Sequence, residues 1–449
     1  MPDVRETHLA PKHHAAVERW RDAFLPDFDF LMDKWPEHFP KQAPYKLCAY
    51  REQGLCGEVE VGDAKGQPKA KRACDLAPEQ AHNLFGAIRA QASTEFGSIQ
   101  QHRLTLARAQ SEEEQIWVLR MMAEELRHGY QMLHLLTDDD WSIVTDESAD
   151  DLVENALSMQ TGSHILGAFN IDFDSFVDNI VFCALIDRVG KYQLAMQKVS
   201  AYQPMAESMP PMLREEAFHL ATGVVPMRRW ASAAGRGEVF VTMDTLQKAI
   251  NKWLPRGLEM FGDERGGGTN VRLGLKPMKN AEAQALYVDE IRKVIDDLNV
   301  RFLRARFPDL GRNDAEDRRR RIADDGARIE GVGPEDLLRM PHADFFRRRG
   351  VPAFRMVGVD GETYDDFDAY SAHLRRQLPD AYLAGRDFRD FFTTLSEVAS
   401  GALSPTDASR RMPSLRRVAG SCPCSRSVRW VVDAPSAPMP ASTANAATA

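Results

Sequence analysis

From about Pro78 to Trp230 the chain runs in long stretches poor in Pro and Gly, with apolar residues recurring at steps of three and four. That spacing places them on one face of an α-helix. The pattern predicts four helices, roughly 79–108, 112–136, 172–202 and 209–234, with a longer connection through Asp138–Trp141 that reads as a crossover. Ser111 and Glu114 form a capping box at the second helix, and the fourth is expected to open at Ser208, with Pro210 and Pro211 in its first turn. Further helices are expected at 242–254, 281–306, 362–378 and 384–400. Residues 1–76 lack this periodicity, and there Tyr45–Tyr50 and Gly57–Val61 are expected to pair as strands between Gly-rich turns.

The resulting picture is a mainly α protein. Residues 1–76 form a mixed N-terminal elaboration, 77–310 a four-helix bundle with packed extra helices, 311–405 a C-terminal helical extension and 406–449 a disordered tail rich in Arg, Ser, Pro and Ala.

Composition narrows the class without naming a chemistry. At 449 residues, 43% hydrophobic and 27% charged, the chain can bury a large core, and its net charge of −9 disfavours general binding to nucleic acid or anionic membrane. Met1–Trp20 carries charge throughout and has no apolar core, so neither a signal peptide nor a membrane anchor is expected, and a cytoplasmic location is. Six cysteines stand at spacings that match no structural zinc pattern and read as free thiols. Gly266–Gly268 lacks the strand and the Lys of a phosphate cradle, and the Arg318–Arg321 and Arg347–Arg349 runs read as solvated faces.

The chemistry lies on the inward stripes of the four core helices. The first stripe includes Ile88, Ala92, Glu95 and Ile99; the second Met121, Glu125, His128 and Met132; the third Ile180, Cys183, Asp187 and Gly190; the fourth Met212, Glu216, His219 and Gly223. Each apolar stripe is interrupted in its middle by acid, or by acid and imidazole. An unpaired buried charge costs several kcal/mol, and the stripes offer no Lys or Arg, so a shared cation is the natural neutraliser.

Spacing sharpens the argument. The midpoint of Glu95 and Glu125 is 110, and that of Asp187 and Glu216 is 201.5, each at an expected turn. Antiparallel helices rise equally, about 1.5 Å per residue, so both hairpins bring two acids level. The second half repeats the first: an acid, then about thirty residues on Glu125-x-x-His128 or Glu216-x-x-His219. An acid from each of two helices plus Glu-x-x-His from each of the other two is the ligand set of two-metal carboxylate bundles. A third copy, Glu79-x-x-His82, has no acid upstream and reads as a solvated helix start. Glu124 and Glu215, off the stripes, are expected at the surface or behind the ligands, and His102 in the core.

At these residues the chain resembles a known family. Ile165–Asn170, Asp187–Leu194, Met212–His219 and Glu124-Glu125-Leu126-Arg127-His128 resemble segments of the ferritin-like di-iron monooxygenases typified by the oxygenase component of benzoyl-CoA 2,3-epoxidase. More distantly they are similar to the catalytic subunit of phenylacetyl-CoA epoxidase. The resemblance covers about 77–235, and the N-terminal region departs from the family's pattern, which leaves the acyl group open.

It implies a ferritin-like bundle with two iron ions, or manganese in their place, on Glu95, Glu125, His128, Asp187, Glu216 and His219. The implied reaction is epoxidation of the aromatic ring of an acyl-CoA by dioxygen. No Gly-x-Gly-x-x-Gly follows a strand and no four-cysteine cluster spacing occurs, so electrons are expected from a separate flavin or iron–sulfur reductase. The alternatives are an N-oxygenase or hydroxylase acting on another substrate, or a non-catalytic metal-binding bundle.

Overall fold

Two antiparallel helical hairpins form the centre of the molecule, and everything else packs around them. In a computed structural model that describes residues 3–158, 164, 166–238, 240–262, 268–345 and 354–411, the first hairpin is α3 (Pro78–Leu106) against α4 (Glu112–Thr137). The second sets α6 (Phe176–Leu185) and α7 (Asp187–Gln197) against α8 (Gln203–Gly235). Ahead of them lie β1 (Val4–Thr7), α1 (Pro11–Asp22), α2 (Leu25–His38) and β2 (Ala49–Glu52). The crossover carries α5 (Ala149–Ser158). Beyond the bundle come α9 (Met243–Met260), α10 (Thr269–Arg272), α11 (Asn280–Arg306), α12 (Arg312–Ala323), α13 (Phe367–Gln377), α14 (Asp380–Ala384), α15 (Arg386–Ala399) and α16 (Pro405–Arg411). The architecture is a ferritin-like helical bundle with one two-stranded antiparallel sheet among the described residues, and none of its helices is long and apolar enough to cross a membrane.

The structure corrects several expected elements. Strand β2 pairs with β1, Thr7 opposite Ala49, whereas Gly57–Val61 contributes only an isolated bridge between Glu58 and Pro68. Within the mixed N-terminal elaboration, where no helix was drawn, residues 11–22 and 25–38 form two helices, each with a proline in its first turn. Helix α8 begins at Gln203 rather than Ser208: Pro204 takes the first-turn position, and Pro210 and Pro211 lie inside the helix. Ser208 Oγ caps the Pro204 carbonyl at 2.7 Å. The expected third helix is interrupted at Ile186, one residue before Asp187, although Ile186 keeps right-handed helical angles. Ser111 caps α4 as expected, but the Glu114 carboxylate accepts from the Gln110 N–H rather than from that of Ser111. Helix α16 covers Pro405–Arg411, although the tail was expected from 406; residues from 412, Cys422 and Cys424 with them, lie outside the described set, as do Ile165, Gly266, Gly267 and Arg347–Arg349.

Packing requires one of the bundle's glycines and not another. A Cβ on Gly223 would stand 2.4 Å from the Ala184 nitrogen, so this glycine lets α8 lie directly on α6. A Cβ on Gly190 would meet only the Glu216 carboxylate at 3.4 Å, so no backbone requires glycine there.

Candidate metal centre

The hairpins bring all six predicted ligands to one place at mid-bundle. Glu95 enters from α3, Glu125 and His128 from α4, Asp187 from the start of α7, and Glu216 and His219 from α8. All are buried, with exposures of 0–8%. His128 Nδ1 lies 3.9 Å from oxygens of Glu95, Glu125 and Glu216 alike. His219 Nδ1 lies 3.5 Å from Glu125 and 3.7 Å from Glu216. Two groups have ligand atoms close enough for one ion each, Glu95–Glu125–His128 and Glu125–Asp187–His219, and Glu125 belongs to both. The carboxylate on the second helix is thus placed to bridge.

Unsatisfied atoms test whether metal fits. Glu125 Oε2, His128 Nδ1, Asp187 Oδ2, Glu216 Oε2 and His219 Nδ1 are all buried without a hydrogen-bond partner. Buried polar atoms need partners, and a cation bound where these five converge would satisfy them together. Electrostatics agree. Burial, followed by Glu95 and Glu216, pushes the Glu125 carboxyl far above its usual range; burial and the Asp187 charge do the same to Glu216. Asp187 is raised by burial, against a lowering bond from Cys183. Carboxylate oxygens and neutral imidazoles around two positions suit iron or manganese, whereas the absence of thiolate argues against a soft-metal site.

The histidines are aimed by residues behind them. His128 Nε2 donates to Glu215 at 2.9 Å, and His219 Nε2 donates to Glu124 at 3.1 Å. Each acid therefore serves the histidine of the other helix and not its own. The bond fixes the tautomer and turns the Nδ1 lone pair inward, the usual carboxylate–histidine–metal arrangement. Burial alone would lower the His128 pKa, but Glu215 raises it above the usual value; burial works to raise Glu215, and the Arg127 guanidinium holds it below the usual carboxylate range. Arg120 Nε donates to Glu124 at 3.0 Å.

A cavity of ≈ 240 Å³ opens on the acid side of the centre. Glu95, Glu125, Asp187, Gly190 and Glu216 line it and neither histidine does; Leu166, Phe169, Ile186, Val189, Leu194 and Met260 give it apolar walls. Gln193, Gln197, Lys276 and Asn280 add polar groups, with Lys276 Nζ donating to Gln193 at 2.8 Å.

Other sequence candidates fall elsewhere. Glu79 and His82 are exposed at the start of α3, with Glu79 accepting from Arg272. His102 sits in the core against Phe173 and Phe182, 2.5 Å from Asn179. Arg318, Arg319 and Arg320 pair with Glu330, Asp296 and Asp317. Sequence reasoning missed Arg120 and Arg127, whose only signal was their helical phase beside the ligand stripe.

Two acids and one histidine from each of two hairpins meet at mid-bundle, a cluster that could hold metal and that matches the ligand set of two-metal carboxylate bundles. Comparison places the chain more closely. The profile of the phenylacetic acid catabolic protein family matches residues 70–316, more than half of the chain, and the chain belongs to that family. It is also similar to benzoyl-CoA oxygenase component B of Aromatoleum evansii, with 25% identity over 407 residues, 80% of this chain and 85% of that protein.

Proposed function

We propose that the protein is the di-iron oxygenase component of a cytoplasmic system that epoxidises the aromatic ring of an acyl-CoA thioester, with dioxygen as oxidant and a separate reductase as electron source. One observation carries the reading: a buried two-metal ligand set whose acid side opens directly on an apolar cavity the size of a ring. About 150 Å³ is enough to hold benzene, so ≈ 240 Å³ admits an aromatic ring with its acyl carbon and leaves the coenzyme outside.

Glu95, Glu125, His128, Asp187, Glu216 and His219 would hold the two ions, and iron bound there would supply the reduction of dioxygen. The chain's own residues do the rest. Phe169, Leu166 and Val189 exclude water from the ring and orient it. Gly190 keeps the approach to Glu216 open. Atoms balance when one oxygen is added across a ring double bond and the other leaves as water, taking two electrons and two protons from outside. Those electrons enter from another protein because the sequence has no nicotinamide, flavin or iron–sulfur motif.

The test is anaerobic reconstitution with ferrous iron, then a screen of aromatic CoA thioesters for oxygen uptake with and without a flavin or iron–sulfur reductase. Turnover with reductase alone present, and label from ¹⁸O-dioxygen in the product, is the expected result. Label arriving only from water would overturn it.

A further inference from the structure

The two acids behind the histidines are each held by an arginine, and each arginine lies on at least one aromatic ring of the N-terminal region. Arg127 donates to Glu215 and faces the rings of Tyr45, 5.3 Å away, and Tyr50, 5.5 Å away. Arg120 donates to Glu124 and lies 4.8 Å from the Phe39 ring and 3.7 Å from Phe218. Phe218 occupies the position in the second Glu-x-x-His that Arg127 occupies in the first. Both arginines therefore come from α4, and Phe218 becomes a seat for one of them.

The rings of the N-terminal region are tied together. Trp35 packs on Phe39 at 4.9 Å and on Tyr45 at 5.7 Å, and Tyr45 Oη donates to the Ala123 carbonyl, one residue before Glu124. We infer that the segment from Trp35 to Tyr50 is a working part of the metal centre: its aromatic rings seat Arg120 and Arg127, which lock Glu124 and Glu215 onto the ligand histidines.

The physical case is pre-organisation. A carboxylate bonded only to a histidine can swing, and the imidazole swings with it. A guanidinium bonded to that carboxylate and pressed on aromatic faces removes the freedom, because a cation over a ring is attracted by the ring's negative face. Arg120 and Arg127 are positioning residues and touch no metal.

The inference rests on the two-metal reading, and cobalt(II) titration of the metal-free full chain separates the two. Wild-type protein should bind two equivalents with visible ligand-field bands. Arg127→Gln and Arg120→Gln should each weaken one equivalent about 10- to 100-fold and shift the bands, as loss of outer support does at other metal sites, with helix content unchanged. Tyr45→Leu should cost about two- to fivefold, and Tyr45→Phe, which keeps the ring and loses only the bond to the Ala123 carbonyl, should recover most of that affinity. Unchanged affinity and bands in both arginine variants would overturn the inference and leave the metal centre standing. If the arginine variants do not fold, equal affinities for Tyr45→Leu and Tyr45→Phe would overturn it. Wild-type protein that binds no cobalt would overturn the two-metal reading and this inference with it.

Discussion

The two sides of the candidate metal centre are built on opposite terms. On the histidine side each imidazole is backed by a chain of partners, His128 to Glu215 to Arg127 and His219 to Glu124 to Arg120. On the acid side the ligands meet an apolar cavity, and the support is thin: Gln91 donates to Glu95 at 3.3 Å and Ser98 to Glu125 at 3.4 Å. A rigid, charge-compensated wall beside a yielding, open one is what a metal centre needs if it must hold ions and also admit a reactant. With metal bound, carboxylates that lack fixed partners would be free to shift, whereas histidines locked from behind would hold the ions in place.

The largest effect should come from breaking the junction of the two sides. Glu125 belongs to both ligand groups. Glu125→Ala should leave well under half of the wild-type metal on elemental analysis, and Glu216→Ala should act in the same direction. Full metal content in both variants would mean that the centre is held by something other than this cluster.

The next prediction uses pH. Glu125, Asp187 and Glu216 have folded pKa values above their usual ones, so the metal-free fold keeps protons that the unfolded chain gives up above about pH 4.3. The native state then binds more protons than the unfolded state, and stability from these groups falls as pH rises. Thermal melts of metal-free protein should show a midpoint that drops between about pH 5 and about pH 8 more steeply than in Glu125→Gln. Metal binding must release the same protons, so affinity should rise over that window. A melt steeper in Glu125→Gln than in wild type would contradict the assignment.

The sequence made the acid side legible and the histidine wall only half so. Helical phase and the duplicated Glu-x-x-His are local patterns, and they pointed to Glu95, Glu125, His128, Asp187, Glu216 and His219 directly. The wall depends on contacts that no local pattern encodes. Glu124 reaches a histidine 95 positions away, and Arg120 finds Phe39, the residue that caps the end of α2, only through tertiary packing. Helix α2 went undrawn when residues 1–76 were read as a mixed elaboration, although Pro26 sits where a helix tolerates proline. The partner of β2 was misjudged for a related reason, since Val4–Thr7 is polar at its centre and closes against Ala49–Glu52 only when the chain folds back.

A smaller effect separates cavity from packing. Gly223→Ala forces a Cβ into the Ala184 backbone, and overpacking of that kind costs about 1–3 kcal/mol, so its thermal midpoint should fall. Gly190→Ala meets only a carboxylate oxygen at 3.4 Å and gains about 1 kcal/mol of helix propensity, so its midpoint should hold or rise. Gly190→Ala should nevertheless impair binding of an aromatic acyl-CoA, because the new methyl enters the cavity. Equal thermal effects from the two substitutions would dissolve the distinction.

The smallest effect expected is at Cys183, and it tests whether the acid side uses only carboxylates. This thiol is fully buried one turn before Asp187, with Sγ 3.6 Å from Met121 Sδ. Proximity to the ligands invites the idea that it binds metal, but a ligating thiol must first lose its proton. Cys183 Sγ belongs to neither group of close ligand atoms, and in the metal-free chain burial, and after it the Asp187 charge, pushes its thiol far above its usual pKa, where it bonds Asp187 as a protonated S–H. Cys183→Ala should therefore keep two metals per chain and cost only about 1 kcal/mol, the price of a small void. Cobalt-loaded wild-type protein should lack the intense near-ultraviolet sulfur-to-metal charge-transfer band that a thiolate ligand produces. Should that band appear and vanish in Cys183→Ala, the acid side would include a sulfur ligand, and its contrast with the histidine wall would have to be redrawn around that bond.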